Sequence, residues 1–193
     1  LGSKEEINSC KKDISASFNN IGNAYDLLLD KKQAIGYHSH AFEIRRELKD
    51  TLAMARSLNN IASAYLDIPD YYKAIEYEFR ALALYETIDE KSGGLAEVLN
   101  NIGNAYGKLM EFDKAQSYYE RALAIQSELG NRDETSKLLN NIAIIYYQQA
   151  QTIKDKEVRK SRLTSALKYY SKVLDMLSES SDSDIAALVY NNM

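Results

Sequence analysis

Phe18-Asn19-Asn20-Ile21-Gly22-Asn23-Ala24-Tyr25 returns, slightly altered, down the whole chain. It reappears as Leu58-Asn59-Asn60-Ile61-Ala62-Ser63-Ala64-Tyr65, then from Leu99 to Tyr106 and from Leu139 to Tyr146. A fifth copy opens at Tyr190-Asn191-Asn192-Met193. The first asparagine of each pair stands at 19, 59, 100, 140 and 191, in steps of 40, 41, 40 and 51 residues. A fixed period of roughly 20–50 residues marks a repeat architecture. Such a chain is one array with a core continuous between neighbouring units, so the 193 residues are read as a single array over 1–193.

Within each copy the apolar residues keep a helical period. Leu99, Ile102, Tyr106 and Leu109 fall on one stripe. Nine residues after each Tyr a second helical stripe opens, at Ala34, Ala74 and Ala115. Each repeat is therefore predicted to be a helix A, a short turn and a helix B. The repeats run over about 11–50, 51–91, 92–131 and 132–180, with a fifth beginning at 183–193. Eight complete helices are expected, with a ninth at the C-terminal end. Asp30, Asp70 and Glu111 each precede the first alanine of a helix B by four residues, where an acidic side chain caps orphan N–H groups and meets the positive end of the helix dipole. Polar connections between repeats are expected at Lys49-Asp50, at Asp89 to Gly94 and at Gly130 to Asp133.

The fourth repeat departs from the pattern. From the small residue of helix A to the first alanine of helix B is 12 residues in three repeats and 23 from Ala143 to Ala166. The insertion of 11 residues is close to three helical turns, so both helices can lengthen without changing the faces they bury. Its stretch, Ala150 to Lys160, is mostly charged and reads as the solvated tip of a longer hairpin or as a protruding contact site. Ser178 to Asp184 reads as a linker into the fifth helix A, with Asp182 or Ser183 as its cap.

Composition narrows the function. One proline and no tryptophan accompany abundant helix-forming residues. The net charge of -4 lacks the basic face of a nucleic-acid binder, so no nucleic-acid partner is expected. No apolar run approaches the roughly 18 residues that cross a membrane, so no membrane insertion is expected in this stretch. Cys10 stands alone, without an internal disulfide partner. The compartment stays open between cytoplasm and a periplasmic sensor segment. The ends are expected to be those of a fragment, whose C-terminal face (Leu174, Leu177, Ile185, Leu188, Val189) is partly uncovered and self-associates.

These phrases resemble the tetratricopeptide repeat, TPR, whose signature runs Trp-x2-Leu-Gly-x2-Tyr, then Ala-x3-Phe, then Ala. The third copy carries it as Leu99, Ile102, Gly103, Tyr106, Ala115, Tyr119 and Ala122. The first copy places His38 at the aromatic position and the second places Glu78 there. The resemblance implies an all-α, right-handed superhelical solenoid of antiparallel helix pairs. The 40-residue period exceeds the usual one of about 34. It is similar to that of kinesin light chain, LGN/Pins adaptors, Rap-type regulators and the TPR regions of bacterial sensor kinases.

No catalytic set is evident, and no enzyme activity, metal or cofactor is expected. His38 and His40 point to different sides of a helix, and His38 occupies a packing position. Gly93-Gly94 precedes no Lys-Ser/Thr, so it makes no phosphate loop. The asparagines are more promising. Opposite the Ile/Tyr stripe each helix A presents a second set: Asn19 and Asn23, then Arg56, Asn59 and Ser63, then Asn100 and Asn104, then Lys137 and Asn140, with Glu97 between the cations. An amide donates and accepts at once, so this ladder can clamp a peptide backbone, and the cations favour an acidic or mixed peptide. The resemblance implies the same, since such asparagines contact bound peptide in kinesin light chain and LGN. One Asn of each pair can equally bond only the adjacent helix. The chaperone-tail TPR domains carry Lys where Asn19, Asn59, Asn100 and Asn140 stand, which argues against a chaperone C-terminus as ligand. The expected function is a non-catalytic scaffold binding a peptide or protein segment; the alternative is a sensory module of a bacterial signalling protein, and a third reading is self-association.

Overall fold

Helix-favouring sequence and the repeated apolar stripes give helix almost everywhere. The computed structural model describes residues 3–88 and 92–178. Among these it forms eight α-helices and no strand: α1 (Lys4–Leu27), α2 (Lys31–Glu47), α3 (Thr51–Asp67), α4 (Tyr71–Thr87), α5 (Gly93–Lys108), α6 (Phe112–Glu128), α7 (Arg132–Thr152) and α8 (Lys156–Ser178). The odd-numbered helices are the predicted A helices and the even-numbered ones the B helices. Two compact units, Leu1–Ala105 and Tyr106–Met193, divide the chain within α5. Ser178, expected to open the linker, ends α8; the rest of the linker, the fifth phrase and the expected ninth helix lie outside the described residues, as do Ile185, Leu188 and Val189.

The ends of the helices follow from local chemistry. Ser3 and Glu6 make a reciprocal capping box that starts α1 upstream of the expected repeat. Asp30, Asp50 and Asp70 each accept from a backbone N–H three residues on, at 3.2, 3.0 and 3.3 Å, interactions worth about 1 kcal/mol apiece. Glu111 was expected to do the same, but its longer side chain turns to Lys114 and makes no cap bond. Two connections are shorter than the sequence suggested. Ser92 caps α5, so Gly93-Gly94 is the first turn of a helix, and Asn131 caps α7, so Arg132 and Asp133 are helical. The inserted residues lengthen both α7 and α8, to 21 and 23 residues, around a turn at 153–155.

In the first unit, small residues let paired helices touch. A Cβ on Gly22 would sit 2.6–2.9 Å from three atoms of the His38 ring, which is wholly buried. His38 Nε2 lies 3.0 Å from Asp26 Oδ2. Burial pushes the imidazole below its ordinary pKa although Asp26 pulls the other way, so the ring is a neutral packing group that donates to Asp26. Gly22→Ala is expected to cost about 1–3 kcal/mol through overpacking, despite alanine's advantage of about 1 kcal/mol in a helix. A denaturation midpoint at or above the parent's would show that the ring gives way.

Each hairpin also carries a stacked tyrosine pair. Tyr25 lies on Tyr37 and Tyr65 on Tyr77 in the first unit, Tyr106 on Tyr118 and Tyr146 on Tyr169 in the second, with ring centroids 5.3, 5.5, 5.7 and 5.6 Å apart. Cations cover several of these rings, Lys73 over Tyr65 and Arg121 over Tyr118 among them. In the second unit Leu139, Ala143, Ala166, Tyr170, Val173 and Leu177 form one buried cluster between α7 and α8. Leu177 was expected to be partly uncovered, but it packs into that cluster at 7% exposure.

Candidate functional site

The A helices of the first unit carry paired asparagines, and the pairs bond one another across successive repeats. Asn60 Nδ2 donates to Asn19 Oδ1 at 3.1 Å, joining α3 to α1. Asn101 Nδ2 donates to Asn59 Oδ1 at 3.0 Å, joining α5 to α3. In both cases the second Asn of a later repeat serves the first Asn of the one before. Asn59 then donates its own Nδ2 to Glu97 Oε1 at 3.0 Å. The amide that was expected to face a ligand is therefore spent at both ends, and Asn59 is only 7% exposed.

Removing it has a cost in stability. Asn59→Ala strands the Asn101 donor and the Glu97 acceptor, and is expected to lower stability by about 1–3 kcal/mol. Asn23→Ala, at an exposed position, is expected to stay within about 0.5 kcal/mol. Equal midpoints for the two variants in urea would show that the cross-repeat bond contributes nothing.

Beside this ladder lies a cavity of about 580 Å3, lined by α1, α3 and α5 together with one residue each from α2 and α4. Of the expected site residues, Asn19, Asn23, Arg56 and Asn59 line it. Ser63, Asn100 and Asn104 do not line it, Ser63 being exposed and the two asparagines half-buried. Lys137 and Asn140 belong to the second unit. There Lys137 pairs with Glu134 at 2.6 Å and Asn140 is buried, its Oδ1 without a hydrogen bond among the described residues.

Glu97, expected between the cations, and Asn60, the second asparagine of its pair, line the cavity as well. It also brings in residues that the repeat pattern did not single out as site residues: Ser92 to Gly94 at the start of an A helix, and Arg45 and Tyr85 from the B helices. Arg45 and Tyr85 both stand 11 residues after the first alanine of helix B, where the chain reaches the next A helix. Arg45 Nη1 donates to Ala53 O at 3.1 Å and to Ser57 Oγ at 2.6 Å, bracing the first turns of α3. The Tyr85 hydroxyl fills the place where a Cβ on Gly94 would lie. A signal for Arg45 was present: its column otherwise holds Tyr85, Gln126 and Leu177, so a cation there is out of pattern. Burial lowers the affinity of Arg45 for its proton, Asp50 raises it and Arg56 lowers it again, but a guanidinium keeps its charge throughout the physiological range.

A buried acid stands behind the ladder. Glu78, on α4, is completely buried at the position where the other helix B copies hold His38, Tyr119 and Tyr170. Asn101 lies near enough to favour its charged form, yet no well-formed hydrogen bond reaches either carboxyl oxygen. Loss of water dominates, and the carboxyl is held well above its ordinary pKa, with Glu97 adding to the rise. Among the described residues no group of three or more His, Cys, Asp or Glu side chains could hold a metal ion, and no helix is long and apolar enough to cross a membrane.

Residues 94–154 match the family model described as tetratricopeptide repeat. The fold is the tetratricopeptide-repeat fold. The TPR helix pairs superpose on those of BtubC (BKLC) from P. vanneervenii with a TM-score of 0.73, at 22% identity, over 86% of this chain and 63% of that one. RapI in its apo form gives a TM-score of 0.79 at 20% identity, over 93% of this chain and 46% of its own. Aspartyl phosphate phosphatase F from Bacillus subtilis gives 0.80 at 18% identity, over 93% and 44%. The chain thus spans about half the length of RapI and of aspartyl phosphate phosphatase F, and 63% of BtubC. No curated protein matches it at a significant level.

Proposed function

We propose that this TPR chain is a protein-interaction scaffold that holds a segment of a partner protein in the cavity of its first unit. TPR folds serve as interaction scaffolds, and the observation that carries the placement is the unspent polar capacity of the wall. The Asn23 amide makes no hydrogen bond among the described residues, and Asn60 uses only its Nδ2, toward Asn19. A donor and an acceptor side by side suit a peptide group whatever its side chain. Serving no reaction, such a wall acts by binding alone.

The likeness to RapI and to aspartyl phosphate phosphatase F favours a second reading, in which the same cavity is the sensing part of a regulatory module. Its output would then lie outside these helix pairs.

Screening an array of 12-residue peptides, followed by amide NMR of the hits, tests the placement. Binding peptides are expected to shift the side-chain amide signals of Asn23 and Asn60. Asn23→Ala is expected to weaken them about five-fold, as the loss of one hydrogen bond of about 1 kcal/mol does. Hits that leave both signals unmoved while perturbing the turns between A and B helices would place the partner elsewhere.

A further inference from the structure

We infer that the group recognised in this cavity is a carboxylate on the partner segment, an Asp or Glu side chain held between Arg45 and Arg56; the inference rests on the scaffold reading above. Both guanidinium groups line the cavity, from α2 and α3, and they are near enough for the charge on Arg56 to weaken proton binding by Arg45. Arg45 is half-buried and Arg56 exposed, and two like charges facing one cavity favour an anion between them. Neither arginine has an ion-pair partner among the described residues, although acidic residues outnumber basic ones, 28 to 24.

The nearby acids make no ion pair with either arginine, although the Asp50 carboxylate still favours the charge on Arg45. Asp50 Oδ1 accepts from Ala53 N at 3.0 Å as the cap of α3, and Glu97 Oε1 accepts from Asn59. Arg45 spends only Nη1 on the protein, which leaves Nε and Nη2 without a hydrogen bond among the described residues. Those two nitrogens form the fork that meets a carboxylate edge-on. The first turn of α5, at Ser92 to Gly94, adds the positive end of a helix to the same space. Glu97 on the wall favours a singly charged carboxylate over a doubly charged phosphate.

The test compares fluorescein-labelled (Gly-Glu)4 with its neutral isostere (Gly-Gln)4 by fluorescence anisotropy at low salt. The glutamate peptide is expected to bind at least ten-fold more tightly. Arg56→Gln, which removes no hydrogen bond of the folded chain, is expected to erase most of that preference with an unchanged melting curve. Arg45→Gln is expected to do the same, and if it fails to fold the Arg56 variant alone decides. Equal affinity for the two peptides, or a preference that survives Arg56→Gln, overturns the carboxylate inference while leaving the scaffold reading in place. Binding of neither peptide overturns both. Free N-acetylglutamate is expected to displace the peptide only at far higher concentration; displacement at equal concentration would make a small acid the ligand and overturn the assignment to a partner segment.

Discussion

Ile102→Ala lowers the free energy of unfolding by about 2–5 kcal/mol, as removal of a wholly buried side chain does when its surroundings collapse only partly. Ile102 is 0% exposed, and Ile61 and Ile142, at the same place in their repeats, are buried equally well. Ile21 also stands at that place but is 40% exposed, on α1. The 40% of its surface left in water gains nothing from folding at about 25 cal/mol per Å2 buried, and Ile21→Ala is expected to cost clearly less than Ile102→Ala. Urea unfolding of the two variants provides the comparison. Equal losses would mean that the stripe owes its stability to helix propensity and not to cover from a neighbouring helix.

The second large effect concerns Glu78 and depends on pH. Because the carboxyl is held above its ordinary value of 4.5 in the folded chain, the native state binds that proton more tightly than the unfolded state. The contribution is fully present below pH 4.5 and is lost as pH rises toward the folded pKa. Stability falls over that window by up to about 1.4 kcal/mol per pH unit from this one group. Glu78→Gln, which cannot ionise, is expected to be more stable than the parent at neutral pH, with the difference closing toward pH 4.5. Unfolding of both proteins across pH 4–8 measures it. Parallel stability profiles would show that Glu78 ionises as easily when folded as when unfolded.

The local rules were legible. The 3.6-residue stripes placed every A and B helix among the described residues, and Asp30 and Asp70 cap as their positions require. The 11-residue insertion lengthened two helices, as its near-integral number of turns allows. What stayed hidden depends on contacts between residues about 40 apart. The asparagine pairs could be read either as ligand-facing amides or as bonds to the adjacent helix, and nothing in one repeat reveals that Asn101 reaches back to Asn59. Arg45 escaped because the apolar stripe of helix B drew attention to its buried face, while the function of position 45 appears only when the next A helix is in place. Glu78 was visible as a departure at an aromatic position, but its complete burial follows from the packing around it and not from its own chemistry.

The stacked tyrosines have an optical consequence. The chain holds 15 tyrosines and no tryptophan, so its ultraviolet emission is not masked by indole. Rings 5.3–5.7 Å apart and nearly parallel couple their electronic transitions, and such coupling produces paired bands of opposite sign in the near-ultraviolet dichroism. Since each stack bridges one A helix and its own B helix, the signal reports the closure of a single hairpin. Replacing one partner at a time, Tyr37, Tyr77, Tyr118 or Tyr169 by Phe, would dim one hairpin's contribution and leave the others lit. The chain thus carries built-in chromophores with which the order of opening along the array can be followed without any label.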